Sequence, residues 1–267
     1  MHFIPTKQYR KLLFALLVTC IVNIFFSLGK NACLYCFPRR TETGLIKVIT
    51  FQGKHYLVCD VDPHEYKIEL FNRLTNGEGT FTFKEIAKQK KKALIFAMNA
   101  GMYEKDLSPV GLFIADGKTQ KEINLRTDAG GNFYQLKPNG VFMMDIYNDP
   151  SIVTTESYIK QAHHVKIATQ SGPMLIVNGV FNTNFQLGST NLNIRNGVGI
   201  NTKHHVVLVI STEPVNFYEF AQLFKTELGC DNALYLDGVI SQSYVPDLQS
   251  EPLPGAQLGT FLTVSKK

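Results

Sequence analysis

Residues 232–244 read Asn-Ala-Leu-Tyr-Leu-Asp-Gly-Val-Ile-Ser-Gln-Ser-Tyr, an apolar run that ends in one carboxylate and a glycine. A short apolar run bounded by turn residues is typical of a buried strand. The pattern predicts that Asp237 stands where a core strand leaves its sheet. A side chain there is held rigidly and opens onto a loop, which suits a functional site. The structural alternative is an aspartate that opens a turn through its own backbone.

The composition is that of an ordinary folded protein and excludes several classes. The length of 267 residues is enough for one large domain or two small ones. Of these residues, 45% are hydrophobic and 18% are charged. The formal net charge of +5 is mild for this length. Because no stripe of basic and aromatic side chains occurs, we expect no nucleic-acid partner.

The N-terminal region has the pattern of a secretory signal. Lys7, Arg10 and Lys11 precede an apolar run over residues 12–28. This run lies near the lower length limit for a membrane span, so an uncleaved inner-membrane anchor stays open. We predict a signal peptide or anchor over residues 1–29, a linker over 30–43 and a folded domain over 44–267. The protein is expected to be exported, periplasmic or extracellular, with membrane contact only through residues 12–28.

Cysteine and histidine patterns favour neither a redox nor a metal centre. Beyond the signal, four cysteines could form two disulfides in an oxidising compartment, with the pairing open. They are Cys33, Cys36, Cys59 and Cys230. The adjacent histidine pairs 163–164 and 204–205 would point to opposite faces of a strand, which is poor spacing for one metal ion. We expect no metal site and no cofactor, while a need for a divalent metal stays open.

Strand patterns outnumber helical ones. Alternating segments at 46–51 and 56–59 flank a glycine turn and predict a β-hairpin. Helical patterns cover 82–92 and, after a capping Asn216, 217–228. Further strands are predicted at 66–71, 93–98, 110–115, 174–177, 206–210 and 259–264. The fold class is therefore α+β: one mixed domain with a large, mostly antiparallel sheet and a few packed helices.

Five polar residues stand at strand ends or in glycine-rich loops: Asn99, Arg126, Ser171, Arg195 and Asp237. A guanidinium binds phosphate oxygens in two places, and glycine-rich loops add backbone N–H donors. An asparagine amide matches a sugar hydroxyl, because it both donates and accepts. The set indicates a site for a polar, anionic ligand, although each residue alone also suits a structural turn.

Four segments together resemble the phosphodiester glycosidase family, over about residues 90–265. They are Met-Asn-Ala-Gly-Met-Tyr at 98–103, Gln-Ser-Gly-Pro-Met-Leu at 170–175, Ile-Arg-Asn-Gly-Val-Gly at 194–199 and Leu-Tyr-Leu-Asp-Gly at 234–238. Segments 108–112, 124–127, 131–133 and 138–142 are similar to the compact bacterial branch of that family. Ala100, Val239 and Ile240 stand where the family has glycine.

The resemblance implies a hydrolase that cleaves a sugar-1-phosphodiester, of the N-acetylglucosamine type, at the anomeric carbon. Its substrate would be a small molecule or a glycan that bears the phosphodiester. On this hypothesis Asp237 attacks the anomeric carbon or activates water, Arg195 stabilises the departing phosphate, and Asn99 positions the substrate. The further substrate-binding residues are Gly101, Arg126, Asn132, Ser171, Gly172 and Gly238. Glu213 and Asp145 are the alternative candidates for the catalytic carboxylate.

Two alternatives stay open. A non-catalytic envelope protein that binds glycan or glycan phosphate is favoured by the lost glycines, because their loss restricts the backbone beside the expected centre. Transfer of the sugar to an acceptor other than water is the third possibility.

Overall fold

The computed structural model describes residues 44–72, 82–160, 164–237, 241–249 and 258–267. These residues belong to one compact unit, Arg39–Lys267. The predictions for residues 1–43, which include the signal segment, the linker, Cys33 and Cys36, lie outside the described residues, as do those for Gly238, Val239 and Ile240.

The described chain begins with the predicted hairpin. Strands β1 (Ile46–Phe51) and β2 (Lys54–Val61) pair antiparallel. Gln52 and Gly53 connect them with φ of 50° and 76°, the left-handed conformation that a two-residue hairpin turn needs and that glycine adopts without strain. Strand β3 (Tyr66–Asn72) follows, at the position that the alternating pattern predicts.

The first described helix and its strand match the predicted elements within two residues at each end. Helix α1 (Phe83–Lys90) begins with a capping box formed by Thr82 and Glu85. It ends where Lys91 adopts a φ of 52°, and a 3₁₀ turn (Lys91–Ala93) leads into β4 (Leu94–Asn99).

The middle of the described chain consists of short strands and one-turn helices. These are β5 (Phe113–Ala115), β6 (Lys118–Lys121), α2 (Asn132–Gln135), β7 (Gly140–Asp145), β8 (Pro150–Thr154), α3 (Thr155–Tyr158), β9 (Val165–Ser171), β10 (Met174–Val177) and β11 (Val180–Phe181). The strand predicted over 110–115 is shorter than expected. Val110 N donates to Met102 O, and Leu112 N donates to the side chain of Gln170, so the regular pairing with β9 begins only at Phe113.

The last third contains the elements β12 (Asn196–Asn201), β13 (Val206–Ser211), α4 (Phe217–Gln222), a π-helical turn (Leu223–Glu227), β14 (Cys230–Tyr235), β15 (Ser243–Tyr244) and β16 (Thr260–Lys266). Asn216 caps α4 as predicted, through a capping box with Glu219. The predicted strand that leads to Asp237 is β14, which ends two residues earlier.

The described strands form three antiparallel sheets. Seven strands are ordered β1-β2-β13-β12-β14-β10-β11, four are ordered β15-β4-β16-β3, and five are ordered β6-β5-β9-β7-β8. The predicted α+β class, with a large antiparallel sheet and few helices, is confirmed.

One core joins the three sheets, and a second core lies under α4. Val198 and Leu234 of the seven-stranded sheet share a buried cluster with Met98 and Phe142 of the other two sheets. On the opposite face of the seven-stranded sheet, Phe220 and Phe224 of α4 and the adjoining turn pack in a separate cluster. The seven-stranded sheet is therefore covered on both faces.

The disulfide expectation is wrong for the two cysteines that the structure describes. Cys59 and Cys230 are buried free thiols. Cys59 lies in the core between the sheets and Cys230 in the core under α4. Because β13 and β12 separate their strands, the two thiols lie beyond disulfide distance. Within the described ranges, no helix has the length and apolar character to cross a membrane.

Candidate active site

A cavity of about 340 Å³ opens beside the end of β14. Its walls come from that strand end, from the loop after β4 and from the glycine-rich segment at the start of α2. The polar side chains that line it are Tyr103, Glu104, Asn132, Tyr134, Tyr235 and Asp237. Asp237 is 9% exposed, so the carboxylate lies at the wall of this cavity.

The side-chain amide of Asn196 joins two strand ends at the base of the site. Its Nδ2 donates to Asn99 O at 2.7 Å, and its Oδ1 accepts from Asp237 N at 2.8 Å. Asn196 is fully buried. Since β4 and β14 belong to different sheets, this one amide fixes their relative position beside the cavity.

The third sheet is attached to the same place. Ser171, at the end of β9, donates its hydroxyl to Leu236 O at 2.6 Å. Thr260 Oγ1 donates to Gly101 O at 2.5 Å. The ends of β4, β9 and β14 therefore meet, as the sequence prediction of a shared site requires. In this arrangement Ser171 and Gly101 lie beneath the cavity wall and hold its backbone.

Asn99 is buried, and only one of its two side-chain polar atoms has a hydrogen-bond partner among the described residues. Its Oδ1 accepts from Gln242 N at 2.9 Å, whereas its Nδ2 has no hydrogen-bond partner among the residues that the structure describes. A buried unpaired donor destabilises a fold by about 1–3 kcal/mol. A group kept at that cost is more typical of a functional site than of a packed core.

Arg195 lies behind the cavity wall, bound within the protein. Its Nε donates to Val215 O at 2.8 Å, and its Nη2 donates to Asn191 O at 2.9 Å. The guanidinium carbon lies 3.6 Å from the ring centroid of Phe217 and 5.5 Å from that of Tyr235. The side chain is 1% exposed, and it does not line the cavity.

Tyr235 separates Arg195 from the cavity. Its ring lies beside the Arg195 guanidinium, and Tyr235 lines the cavity together with Asn132. Burial raises the pKa of Tyr235 to about 12, Arg195 opposes that rise, and the charge of Asp237 adds to it. Burial likewise raises the pKa of Tyr103 to about 12, again with a contribution from Asp237. Both phenols are therefore protonated at neutral pH, close to one carboxylate.

Arg126 stands outside the cavity, on the surface. Its side chain is 62% exposed and its Nε lies 3.0 Å from Oδ1 of Asp128. The guanidinium carbon lies 5.8 Å from the ring centroid of Tyr134, whose hydroxyl donates to Glu104 at 3.3 Å. Arg126 is thus one side chain away from the cavity mouth.

Of the remaining predicted residues that the structure describes, one lines the cavity and the others do not. Asn132, at the start of α2, lines the cavity. Gly172 packs against Asn139, where an added Cβ would lie 2.2 Å from Oδ1, so it is part of the scaffold. The two alternative carboxylates do not line the cavity. Glu213 pairs with His55 at 2.8 Å, and Asp145 accepts from two backbone N–H groups of its own turn.

Sequence reasoning overlooked the aromatic wall and Glu104. Tyr235 precedes Asp237 by two residues, and the period-two alternation of a strand places such a pair on one side. That signal could have identified Tyr235. Tyr103 ends a segment already singled out, whereas Tyr134 and Glu104 lie in irregular chain with no pattern to mark them. Within the described parts of the chain, no group of three or more His, Cys, Asp and Glu side chains could hold a metal ion.

These features define a class: an α+β protein of three antiparallel sheets, with a polar, tyrosine-lined site where their strand ends meet. The chain belongs to the phosphodiester glycosidase family, whose model matches residues 92–264. The family resemblance that the sequence segments indicate is confirmed.

Three similar proteins extend this comparison. The chain is 34% identical over 187 residues to the uncharacterized protein YigE of Escherichia coli K12, which covers 69% of this chain and 72% of that protein. The catalytic domain of zebrafish N-acetylglucosamine-1-phosphodiester alpha-N-acetylglucosaminidase, auto-inhibited by its pro-peptide, has a similar fold. The TM-score is 0.58 at 16% identity, with 83% of this chain and 82% of that domain covered.

A hypothetical protein from Synechocystis is also similar, with a TM-score of 0.52 and 14% identity. The match covers 83% of this chain and 61% of that one. At such low identities, the two structures support the fold alone.

Proposed function

We propose that the protein is an exported hydrolase that cleaves a sugar-1-phosphodiester, of the N-acetylglucosamine-1-phosphodiester type, at the anomeric carbon. The observation that carries this proposal is the position of Asp237 at the wall of a tyrosine-lined cavity, inside the family segment. The reaction named for the zebrafish relative supports the same chemistry.

The cavity suits a sugar that bears a phosphate. Its volume of about 340 Å³ falls in the range of small-molecule sites. Tyrosine rings offer apolar faces to a sugar ring and hydroxyls to its oxygens. Asn132 adds an amide that can donate and accept. Because these groups line the same cavity as Asp237, a ligand bound to them would contact the Asp237 carboxylate.

Asp237 is the proposed carboxylate for the chemistry at the anomeric carbon. In the direct route, water forms the new bond to that carbon and gives its proton to Asp237. In the two-step route, Asp237 bonds to the carbon first, and water then cleaves the glycosyl ester. In both routes the carbon–oxygen bond breaks and its electron pair leaves with the phosphate monoester, so no strong general acid is required.

The negative charge that develops on the departing phosphate is stabilised by a cation or hydrogen-bond donor that is already in position. Arg126 is a candidate at the cavity mouth, because its exposed pair with Asp128 is of the weak surface kind and a phosphate could replace Asp128. Arg195 supplies positive charge from behind Tyr235, without direct contact with the cavity.

The test is a hydrolysis screen over sugar-1-phosphodiesters with the purified protein and Asp237→Asn. We expect the variant to lose at least about 10³-fold in kcat, as for a residue that acts in the bond-breaking step. Asp231→Asn is the matched control, because Asp231 is an exposed carboxylate on β14, the strand that leads to Asp237. Equal rates for Asp237→Asn and the wild type would refute the role of Asp237.

Product analysis then separates the routes. Retained anomeric configuration supports a glycosyl ester on Asp237, and inverted configuration supports direct attack by water. A competing alcohol that appears in the product would identify transfer of the sugar instead of hydrolysis.

Export is proposed from the N-terminal pattern alone. Cell fractionation and N-terminal sequencing of the mature protein would test it. Replacing Lys7, Arg10 and Lys11 with glutamate should leave the protein in the cytoplasm, because the signal depends on those positive charges. Unchanged fractionation of that variant would contradict the proposal.

A second candidate is a non-catalytic envelope protein that binds glycan or glycan phosphate. The buried, internally bonded Arg195 favours it, because the expected phosphate-binding cation does not face the cavity. Calorimetry with a sugar-1-phosphodiester would select this candidate if the ligand binds and no product forms.

A further inference from the structure

The buried side chain of Gln170, in β9, holds a distant segment of irregular chain. Its Oε1 accepts from Leu112 N at 3.0 Å and from Asn124 N at 2.9 Å. Its Nε2 donates to Asn124 O at 2.8 Å and to Thr155 Oγ1 at 3.2 Å. A primary amide can accept two hydrogen bonds and donate two, so these four contacts use its full capacity. One side chain therefore bonds both the N–H and the C=O of Asn124, as a neighbouring strand would.

Asn124 connects this segment to Arg126 and to the cavity wall. Its Nδ2 donates to Val110 O at 2.7 Å, and its Oδ1 accepts from Arg126 N at 3.0 Å. Val110 lines the cavity. The backbone of Arg126 is thus tied through the amide of Asn124 to the cavity wall, and through that of Gln170 to the five-stranded sheet.

The fixed backbone of Arg126 contrasts with its open side chain. That side chain is 62% exposed and pairs with Asp128, which is 71% exposed. Such an exposed ion pair contributes little to stability. A buried amide destabilises a fold unless it is hydrogen bonded, and Gln170 is 1% exposed. A fully bonded buried amide thus fixes a residue whose own side chain adds little stability, which points to a role in binding.

Arg126 lies where the cavity meets a second groove. That groove, of about 890 Å³, is lined by residues 120–126 together with Glu104 and Val110. Glu104 and Val110 also line the cavity, so the two spaces share a wall. The Arg126 guanidinium carbon lies 5.8 Å from the ring centroid of Tyr134 on the cavity side. A phosphate bound to this guanidinium would therefore lie between the cavity and the groove.

We propose that Gln170 and Asn124 are positioning residues, which hold Arg126 in place for a phosphate group of the ligand at this junction. The substrate class rests on the proposed function, whereas the contact between Arg126 and a phosphate group does not require turnover. Because the backbone of Arg126 is already ordered, less binding free energy is lost when the ligand binds.

The first arm of the test measures phosphate binding. Arginine labelled with ¹³C at Cζ gives an Arg126 resonance that is assigned by its loss in Arg126→Lys. Inorganic phosphate should shift that resonance in the wild type. Asn124→Ala should weaken the phosphate affinity by about 10-fold, because the freed segment must then be ordered on binding. No shift in the wild type, or equal affinities for the two proteins, would overturn the inference.

Asn201→Ala is the matched control. Asn201 Oδ1 accepts from Lys203 N at 3.0 Å, which is the same contact with the N–H two residues later in the chain. Asn201 lies at the opposite end of β12 from Asn196, so it is remote from the site. Its replacement should leave the phosphate affinity unchanged. An equal loss of affinity in both variants would reflect stability alone and would refute the positioning role.

Gln170→Met keeps the length of the side chain, removes its amide and should weaken phosphate binding at least as much as Asn124→Ala. Thermal melts report folding. If either variant does not fold, Asn124→Ser decides. A serine hydroxyl can still accept from the N–H two residues later, but it is too short to bond Val110 O, so we expect a loss of about 3-fold in phosphate affinity. Wild-type affinity in this variant would then decide against the proposal.

The second arm is kinetic and uses a sugar-1-phosphodiester. Asn124→Ala should lower kcat/KM by about 10-fold in the wild type, but by less than about 3-fold in an Arg126→Ala background, because the residue that it positions is already absent. Additive effects would assign Asn124 a structural role alone. If the protein hydrolyses no phosphodiester and the first arm succeeds, the hydrolytic function fails and the positioning of Arg126 stands.

Discussion

Asn196 and Asp237 are joined by a hydrogen bond of 2.8 Å from the backbone N–H of Asp237 to the side-chain oxygen of Asn196. The same amide donates to Asn99 O at 2.7 Å. One buried side chain therefore sets the position of the proposed catalytic carboxylate relative to β4. Asn196 is a positioning residue in this arrangement, because it does not line the cavity.

Asn196→Ala is expected to destabilise the fold by about 2–4 kcal/mol, since it leaves one buried donor and one buried acceptor unpaired. Urea unfolding measures this change. The control is Asn232→Ala in the same sheet, whose side chain accepts one exposed hydrogen bond from Asn178 N and should contribute about 1 kcal/mol. A smaller loss for Asn196→Ala than for Asn232→Ala would contradict the assigned role.

Gly199→Ala should destabilise the protein by about 1–3 kcal/mol through overpacking. An added Cβ at Gly199 would lie 2.7 Å from both Cys230 Sγ and Phe224 Cδ1. Gly130→Ala is the control, because an added Cβ there meets no atom within 4 Å. Denaturant midpoints compare the two variants, and equal midpoints would show that the π-helical turn with Phe224 lies farther from the sheet than described.

Glu69 should contribute stability that depends on pH. Burial raises its pKa, but hydrogen bonds from Lys90 and Lys67 more than offset that effect, so the pKa lies below its ordinary value. A lowered folded-state pKa stabilises the fold above the unfolded pKa, near 4.3, and this stability is lost as the pH falls through the folded value.

Glu69→Gln should therefore lower the free energy of unfolding at pH 6 and have less effect near pH 3. Thermal melts across that range measure the difference. Glu65→Gln, in the turn before β3, is the control. A loss for Glu69→Gln that does not change with pH would assign Glu69 a packing role alone.

Cys59 and Cys230 should resist thiol reagents in the native protein. Both thiols are buried, and burial raises the pKa of Cys230 to about 12, so little reactive thiolate forms at pH 8. In a background with Cys20, Cys33 and Cys36 changed to serine, an aromatic disulfide reagent should label neither thiol until urea unfolds the chain. Rapid labelling of the native protein would disprove their burial.

The sequence predicted the scaffold well because its signals are local. Alternation marked β1 to β3, helical periodicity marked both helices with Asn216 as the cap of the second, and apolar runs marked β4 and β14. The short strand β5 was overestimated, since Gln170 from distant chain bonds the backbone of Leu112. No local pattern reports such a contact.

The site was predicted in part. Apolar runs that end in Asn99, Ser171 and Asp237 pointed to strand ends, and these ends do meet. The position of Arg195 could not be deduced from sequence, because it depends on Val215, Asn191 and Phe217 closing around the guanidinium. Arg126 looked equivalent in the sequence, yet it lies on the surface beside Asp128.

Strand β16 pairs along its length with β3 and also with β4, although it follows every other described strand in the chain. The four-stranded sheet therefore cannot close until this late segment has been synthesised, and contacts between such distant parts form slowly. If the protein is exported as proposed, this delay would keep the new chain unfolded while it passes through a secretion channel. Maturation of the cavity would then follow translocation.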